Sequence, residues 1–203
     1  MSRPRTFDLE HATDRALHVF WAKGYEGATL GDLTSAMGIA RPSLYAAFGS
    51  KEGLFRAALE RYVTVHGADV GLALGAETGR ETVVRMLRFY ADAVGRPGLP
   101  AGCLLVQGAL VCGDESEAIR HALRERRQGT EAALAARLER ARREGEPLPA
   151  GRPADLARYV WTLCHGLSVQ AADGATRDQL RRVAALALAF WPEPAEMTAA
   201  HRA

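Results

Sequence analysis

Apolar residues recur at helical spacing along most of this chain, and no segment shows the two-residue alternation of a strand. Asp8 is a good helix cap, and behind it Leu9, Ala12, Ala16, Val19 and Phe20 share a face until Gly24 stops the segment. Thr29 caps a second segment, with Asp32 at the capping-box position and Leu30, Leu33 and Met37 on one side. Gly38 supplies the left-handed residue of a tight stop. Arg41 and Pro42 open a third segment that turns Leu44 and Phe48 inward and leaves Ser43, Tyr45, Ala46 and Ala47 outward or sideways. Ser50 caps a fourth, carrying Leu54, Phe55, Ala58, Leu59 and Tyr62. The signal weakens at His66-Gly67. There Gly67, Gly71 and Gly75 recur every four residues, which either lets a continuing helix pack closely or frays it; a helix that continues weakly is expected.

Further on, Glu81–Val94 is again helical, with Val84, Leu87, Tyr90 or Ala91, and Val94 on one side. The Gly/Pro-rich run from Gly95 to Gly102 is a loop. Cys103–Cys112 is apolar except for Gln107 and predicts a buried helix. A long charged helix from Glu115 to Glu144 turns Ile119, Leu123, Thr130, Leu134 and Leu138 inward, a loop spans Gly145–Pro153, and two helices, Ala154–Ala172 and Thr176–Trp191, end the chain. The expectation is an all-α protein of about nine helices, divided near His66 into residues 1–66 and 67–203.

Two short helices across the turn at Met37-Gly38-Ile39 make a helix-turn-helix, whose second helix enters the major groove of DNA. Arg41 is the one long cation on that helix and suits bidentate contact with guanine, while Ser43 and Tyr45 suit a phosphate or a base edge. Pro42 pre-sets the first turn, and Ala46 offers a methyl contact to thymine. Thr29 presents its hydroxyl and the helix-start amides to a phosphate, and Arg3 and Arg5 form a short basic arm. The run Gly38-Ile39, Ser43-Leu44-Tyr45 and Phe48-Gly49-Ser50-Lys51-Glu52 resembles the DNA-binding signature of the tetracycline-repressor-like (TetR) family. The resemblance covers roughly the first quarter of the chain; the rest is similar in layout only. It implies that Tyr45 and Lys51 contact the DNA backbone, and that the C-terminal helical domain binds a small effector and dimerises. Ala40 departs from the family's usual capping serine, a loss of about 1 kcal/mol.

Net charge is only +2 over 203 residues, so any electrostatic footprint for DNA is local. Three cysteines without a CxxC suit a reducing compartment. The start of the chain lacks a signal peptide's apolar run, and no stretch is apolar enough to span a membrane, so a cytoplasmic protein is expected. No metal-ligand spacing occurs: Cys103 and Cys112 fall on opposite faces of a helix, and Cys164 and His165 diverge as neighbours do. No cofactor is expected.

Effector-contact candidates are the large or soft residues of inward faces: Met86, Phe89, Tyr90, Cys103, Gln107, Trp161 and His165. Gln107 stands out because a buried amide needs partners that an apolar core lacks. Cys103, at the start of its predicted helix, is either a thiol sensitised by unpaired amides or ordinary packing. Leu180, Val183, Ala184, Leu186, Ala187 and Phe190 form the expected homodimer interface, since an operator read with two-fold symmetry requires a dimer. The reading is a sequence-specific transcriptional regulator of operator DNA, a repressor released by a small-molecule or thiol-reactive effector. The rivals are a helical protein-interaction module without DNA binding and, more weakly, a thiol enzyme.

Overall fold

Asp8 starts the first helix as expected: its carboxylate accepts the N–H groups of Glu10 and His11 at 2.9 and 3.3 Å. In this computed structural model, which describes residues 8–92, 98–110 and 113–192, ten α-helices and one 3₁₀ turn account for the regular structure, and no strand occurs among the described residues. The expected arm residues Arg3 and Arg5, and Cys112, lie outside the described residues. The chain divides into two compact units, each drawn from two stretches: Met1–Gly67 with Gly98–Arg124, and Ala68–Pro97 with Glu125–Ala203.

The first unit is built around α1 (Leu9–Gly27), which packs on α2 (Leu30–Met37) and α4 (Lys51–His66), with α3 (Arg41–Phe48) between the latter two in sequence. Ala16, Leu17, Phe20, Leu33, Leu44, Leu54 and Phe55 are fully buried, and each large one contributes about 1.5–3 kcal/mol by leaving water. Phe20 meets Phe55 edge-on, ring centroids 5.0 Å apart. α1 is broken at Gly24 (φ 71°, ψ 175°), the position where the sequence stops the helix.

The returning stretch departs from expectation. The apolar run Cys103–Cys112 forms only a single turn, α7 (Leu104–Gln107), not a buried helix. The physical reason is competition for a carbonyl: the Gly108 oxygen accepts the Tyr25 N–H at 2.7 Å instead of continuing a helical ladder. Leu110 is consequently exposed. Cys103, Leu104, Val106, Ala109, Ile119 and Leu123 join the core of the first unit. The single boundary near His66 therefore has no counterpart in this returning stretch, which the Gly/Pro loop before it does not announce.

The second unit contains α5 (Ala68–Leu74), α6 (Gly79–Asp92), the later part of α8 (Glu117–Arg143), α9 (Pro153–Ala172) and α10 (Arg177–Leu188). The weak signal after Gly67 resolves as a break and the short α5, and a side chain at Gly71 would meet nothing, so this glycine serves no close packing. Thr176 and Gln179 form a capping box at the start of α10. Among the described residues, Arg137 is the one charged side chain buried in a core: it donates to the carbonyls of Ala76 (3.3 Å) and Glu77 (2.7 Å) and pairs with Glu146 (3.2 Å). Glu146 in turn accepts the Gly79 N–H at 2.6 Å. Removing one partner leaves the other charge buried and unpaired, a loss of about 3–5 kcal/mol.

Candidate nucleic-acid interface

The helix-turn-helix is held from inside by three side chains. Leu33 and Met37 of α2 and Leu44 of α3 are buried, so each helix has one anchored face. The turn closes at Gly38 in the left-handed region (φ 66°), and the Ile39 N–H reaches back to the Thr34 carbonyl at 3.1 Å. The α2 start is a complete capping box. Thr29 Oγ1 accepts the Asp32 N–H at 3.0 Å, and Asp32 accepts the Thr29 N–H and hydroxyl at 3.0 and 2.8 Å. Lys23 Nζ adds a bond to Asp32 at 2.7 Å. Lys23 first and Thr29 next pull the Asp32 carboxyl down to about 2. The Thr29 hydroxyl, expected to meet phosphate, is thus engaged in the cap, and its neighbours Lys23 and Asp32 are the groups the sequence reading left out of the site.

α3 starts without a side-chain cap at Ala40, with Pro42 in its first turn. Its outward face carries Arg41, Pro42, Tyr45 and Ala46, all exposed, with Ser43 half-buried. Arg41, Ser43 and Tyr45 make no side-chain hydrogen bond among the described residues, and Arg41 and Tyr45 are exposed. Gly53 fixes the join between α3 and α4, because a Cβ there would lie 2.1 Å from the Phe48 carbonyl oxygen. Ser50 caps α4 by accepting the Gly53 N–H at 2.9 Å. Lys51 follows, half-buried, its Nζ over the Tyr25 ring at 4.6 Å. Burial pushes the Lys51 ammonium below its ordinary pKa. Tyr25 is a partner that no local pattern revealed.

The effector candidates divide between the units. In the second, Met86 and Tyr90 are buried, Phe89 half-buried, and an aromatic series runs Phe89–Tyr90 (5.1 Å), Tyr90–Trp161 (5.8 Å), Trp161–His165 (4.6 Å). Burial, then the Arg127 charge, lowers the His165 pKa. The indole N–H of Trp161 and Nε2 of His165 are buried without a hydrogen-bond partner. In the first unit, Cys103 is 5% exposed and its Sγ accepts the Tyr62 hydroxyl at 3.2 Å. It precedes a single helical turn, too short to add much of the dipole expected at a helix start. Gln107 is half-buried, with a buried, unpartnered Oε1.

α10 has two faces. Leu180, Ala184 and Ala187 are buried in their own unit, whereas Val183 and Leu186 on the helix and Phe190 just past its end are 44, 69 and 72% exposed. Six residues expected to act together at an interface are therefore split into an inward and an outward set, because the helix period separates them. Tyr159 and Val169 of α9 are exposed apolar residues too. A groove of about 870 Å³, lined in part by Leu163, Leu167, Val169, Leu180 and Val183, runs between α9 and α10.

Two short anchored helices joined by a tight turn, the second presenting unengaged polar side chains, define the helix-turn-helix class of DNA-binding proteins. Residues 12–58 match the family described as bacterial regulatory proteins, tetR family, and residues 79–188 match the tetracyclin repressor-like C-terminal domain. The chain belongs to the TetR family of transcriptional regulators, which are not enzymes. It is 34% identical over 195 residues to the HTH-type transcriptional repressor ComR of Escherichia coli K12, covering 94% of this chain and 92% of that one. A cysteine variant of the TetR-family regulator CifR, solved with 26-bp double-strand operator DNA, is 44% identical, with a TM-score of 0.88 over 94% of this chain and all of that one. The reduced form of NemR from E. coli, 24% identical with a TM-score of 0.78 over 92% of this chain and 97% of that one, shares the fold. No helix among the described residues is long and apolar enough to cross a membrane.

Proposed function

We propose that this chain is a homodimeric cytoplasmic repressor that reads a palindromic double-stranded operator through α3 and leaves it when an effector binds. The observation that carries the reading is the outward face of α3, where Arg41, Ser43 and Tyr45 stand unengaged above the buried anchor Leu44. Arg41 serves as the base-reading donor. Ser43, Tyr45, Lys51 and the Thr29 helix start position the backbone, Ala46 adds a thymine contact, and Arg3 and Arg5 add an arm. Residues 1–66 are the DNA-binding part, and residues 67–203 bind the effector and dimerise. The name of ComR as a repressor and the operator complex of CifR support the direction of control.

The effector acts by favouring a conformation whose two recognition helices no longer match half-sites about one helical turn apart. Met86, Phe89, Tyr90, Trp161 and His165 are the proposed non-covalent contacts; Cys103 with Gln107 is the proposed site of a thiol-reactive signal. Selection of bound fragments from random DNA, repeated with candidate effectors, tests the whole reading: an inverted repeat bound in a salt-sensitive way supports it, and indifference to sequence sinks it. Electrophile treatment with adduct mapping by mass spectrometry, comparing release by wild type and Cys103→Ser, separates the two signals. Equal release by both assigns the signal to a non-covalent ligand.

A further inference from the structure

The last turn of α1 ties one DNA-facing cation to the stretch that returns through residues 98–124. Beyond the break at Gly24, the Tyr25 N–H bonds the Gly108 carbonyl at 2.7 Å. The Tyr25 ring packs edge-on against Phe55 at 5.2 Å and carries Lys51 Nζ over its face. The next residue, Glu26, accepts the Gly113 N–H at 2.8 Å and a bond from the Ser116 side chain. Those two bonds, Gly113 foremost, hold its carboxyl below the usual carboxylate range, so it is ionised at neutral pH. Glu26 and Lys51 feel each other's charge, yet no salt bridge joins them: the carboxylate is committed to the returning stretch, and the ammonium to the ring.

We propose that Glu26 is the moving part of a charge switch. Bonded to Gly113 and Ser116, it leaves Lys51 available to a DNA phosphate; released when that stretch shifts, it pairs with Lys51 and withdraws the cation from DNA. The switch rests on the reading of Lys51 as a phosphate contact. An ionised carboxylate is an acceptor with no donor of its own, so on losing two donors the exposed Glu26 is left to water and to the cation whose charge it already feels. The neighbouring ammonium is that cation, and its partial desolvation strengthens the pairing. The same returning stretch carries Cys103 and Gln107, so chemistry there reaches Lys51 without touching the recognition helix. Plain electrostatics assigns Glu26 a different part: a negative charge that only repels DNA, whatever happens at Gly113.

Gly113 has φ −69° and ψ 169°, which proline adopts, so Gly113→Pro deletes the N–H and sets the ring's Cδ where Glu26 now bonds. In the full chain, Gly113→Pro is expected to weaken binding to the selected operator about five- to tenfold and to lower the salt slope by about one per protomer. Adding Glu26→Gln is expected to restore both to within about twofold of wild type. Ser116→Ala cuts the other bond and should give a smaller loss, about two- to threefold, with the same rescue; it replaces Gly113→Pro if that variant melts early. Wild-type binding by both single variants, or a loss that persists beside Glu26→Gln, overturns the switch. A wild type without operator preference would instead overturn the reading beneath it.

Discussion

α3 and α10 obey one rule and end in opposite surfaces. Each buries one stripe, Leu44 in α3 and Leu180, Ala184 and Ala187 in α10. What each leaves outside differs: Arg41 and Tyr45 with unengaged polar groups on α3, and the large apolar side chains Val183 and Leu186 on α10, with Phe190 just past its end, beside exposed arginines such as Arg182. The first surface offers hydrogen bonds and charge to a polyanion, and the second offers area to another apolar face. Amphipathic pattern alone says that both helices pack; the chemistry of the outward side says against what.

The comparison breaks most visibly at α10. Replacing Val183 and Leu186 with Glu puts like charges across the proposed apolar interface. Sedimentation is expected to show monomer, and operator affinity to fall by about 10²–10⁴ as two-site engagement is lost. A variant that stays dimeric and folded would move the interface elsewhere. Next in size is Arg41→Ala, expected to cost about 1–3 kcal/mol and to relax preference at one base pair per half-site. A panel of single-base operator variants reads this directly, and unchanged base preference would reassign Arg41 to phosphate. Lys51→Ala is expected to weaken binding to all sequences alike and to reduce the salt slope by about one per protomer, about two for the dimer. Titration at several salt concentrations checks it, and a wild-type slope counts against the contact.

The smallest effect concerns stability. Asp32 has its carboxyl lowered to about 2 from 3.8, so its contribution is complete above about pH 4 and disappears as pH falls toward 2. Thermal midpoints of wild type and Asp32→Asn should differ by a constant amount above pH 4 and converge below it. A gap unchanged down to pH 2 would show that the carboxylate charge plays no part in the cap.

The α2–α3 element was legible because its determinants are local: the Thr29–Asp32 box, Gly38, Pro42 and the spacing of Leu33, Met37 and Leu44 all lie within one short window. The shortness of α7 was not, because the Tyr25 N–H that captures the Gly108 carbonyl comes from a distant part of the chain. Arg137 looks like any other arginine of a charged helix; its burial depends on the Ala76 and Glu77 carbonyls arriving from another segment. Lys51 was recognisable as a cation after a cap, but its seat on Tyr25 is a tertiary contact. The α10 residues read alike as apolar in sequence; the helix phase against α6 and α9 sorts them into core and surface.

On the proposed reading, the outward faces of α3 and α10 work together, one reading DNA and the other pairing two copies to do so. The most direct measurement is the stoichiometry and symmetry of the complex on a selected operator, by sedimentation with labelled DNA and footprinting of both strands. An even number of protomers is expected to occupy inverted half-sites about one helical turn apart, with one half-site alone bound far more weakly. A single protomer on an asymmetric site, bound as tightly as on the full repeat, would contradict that reading.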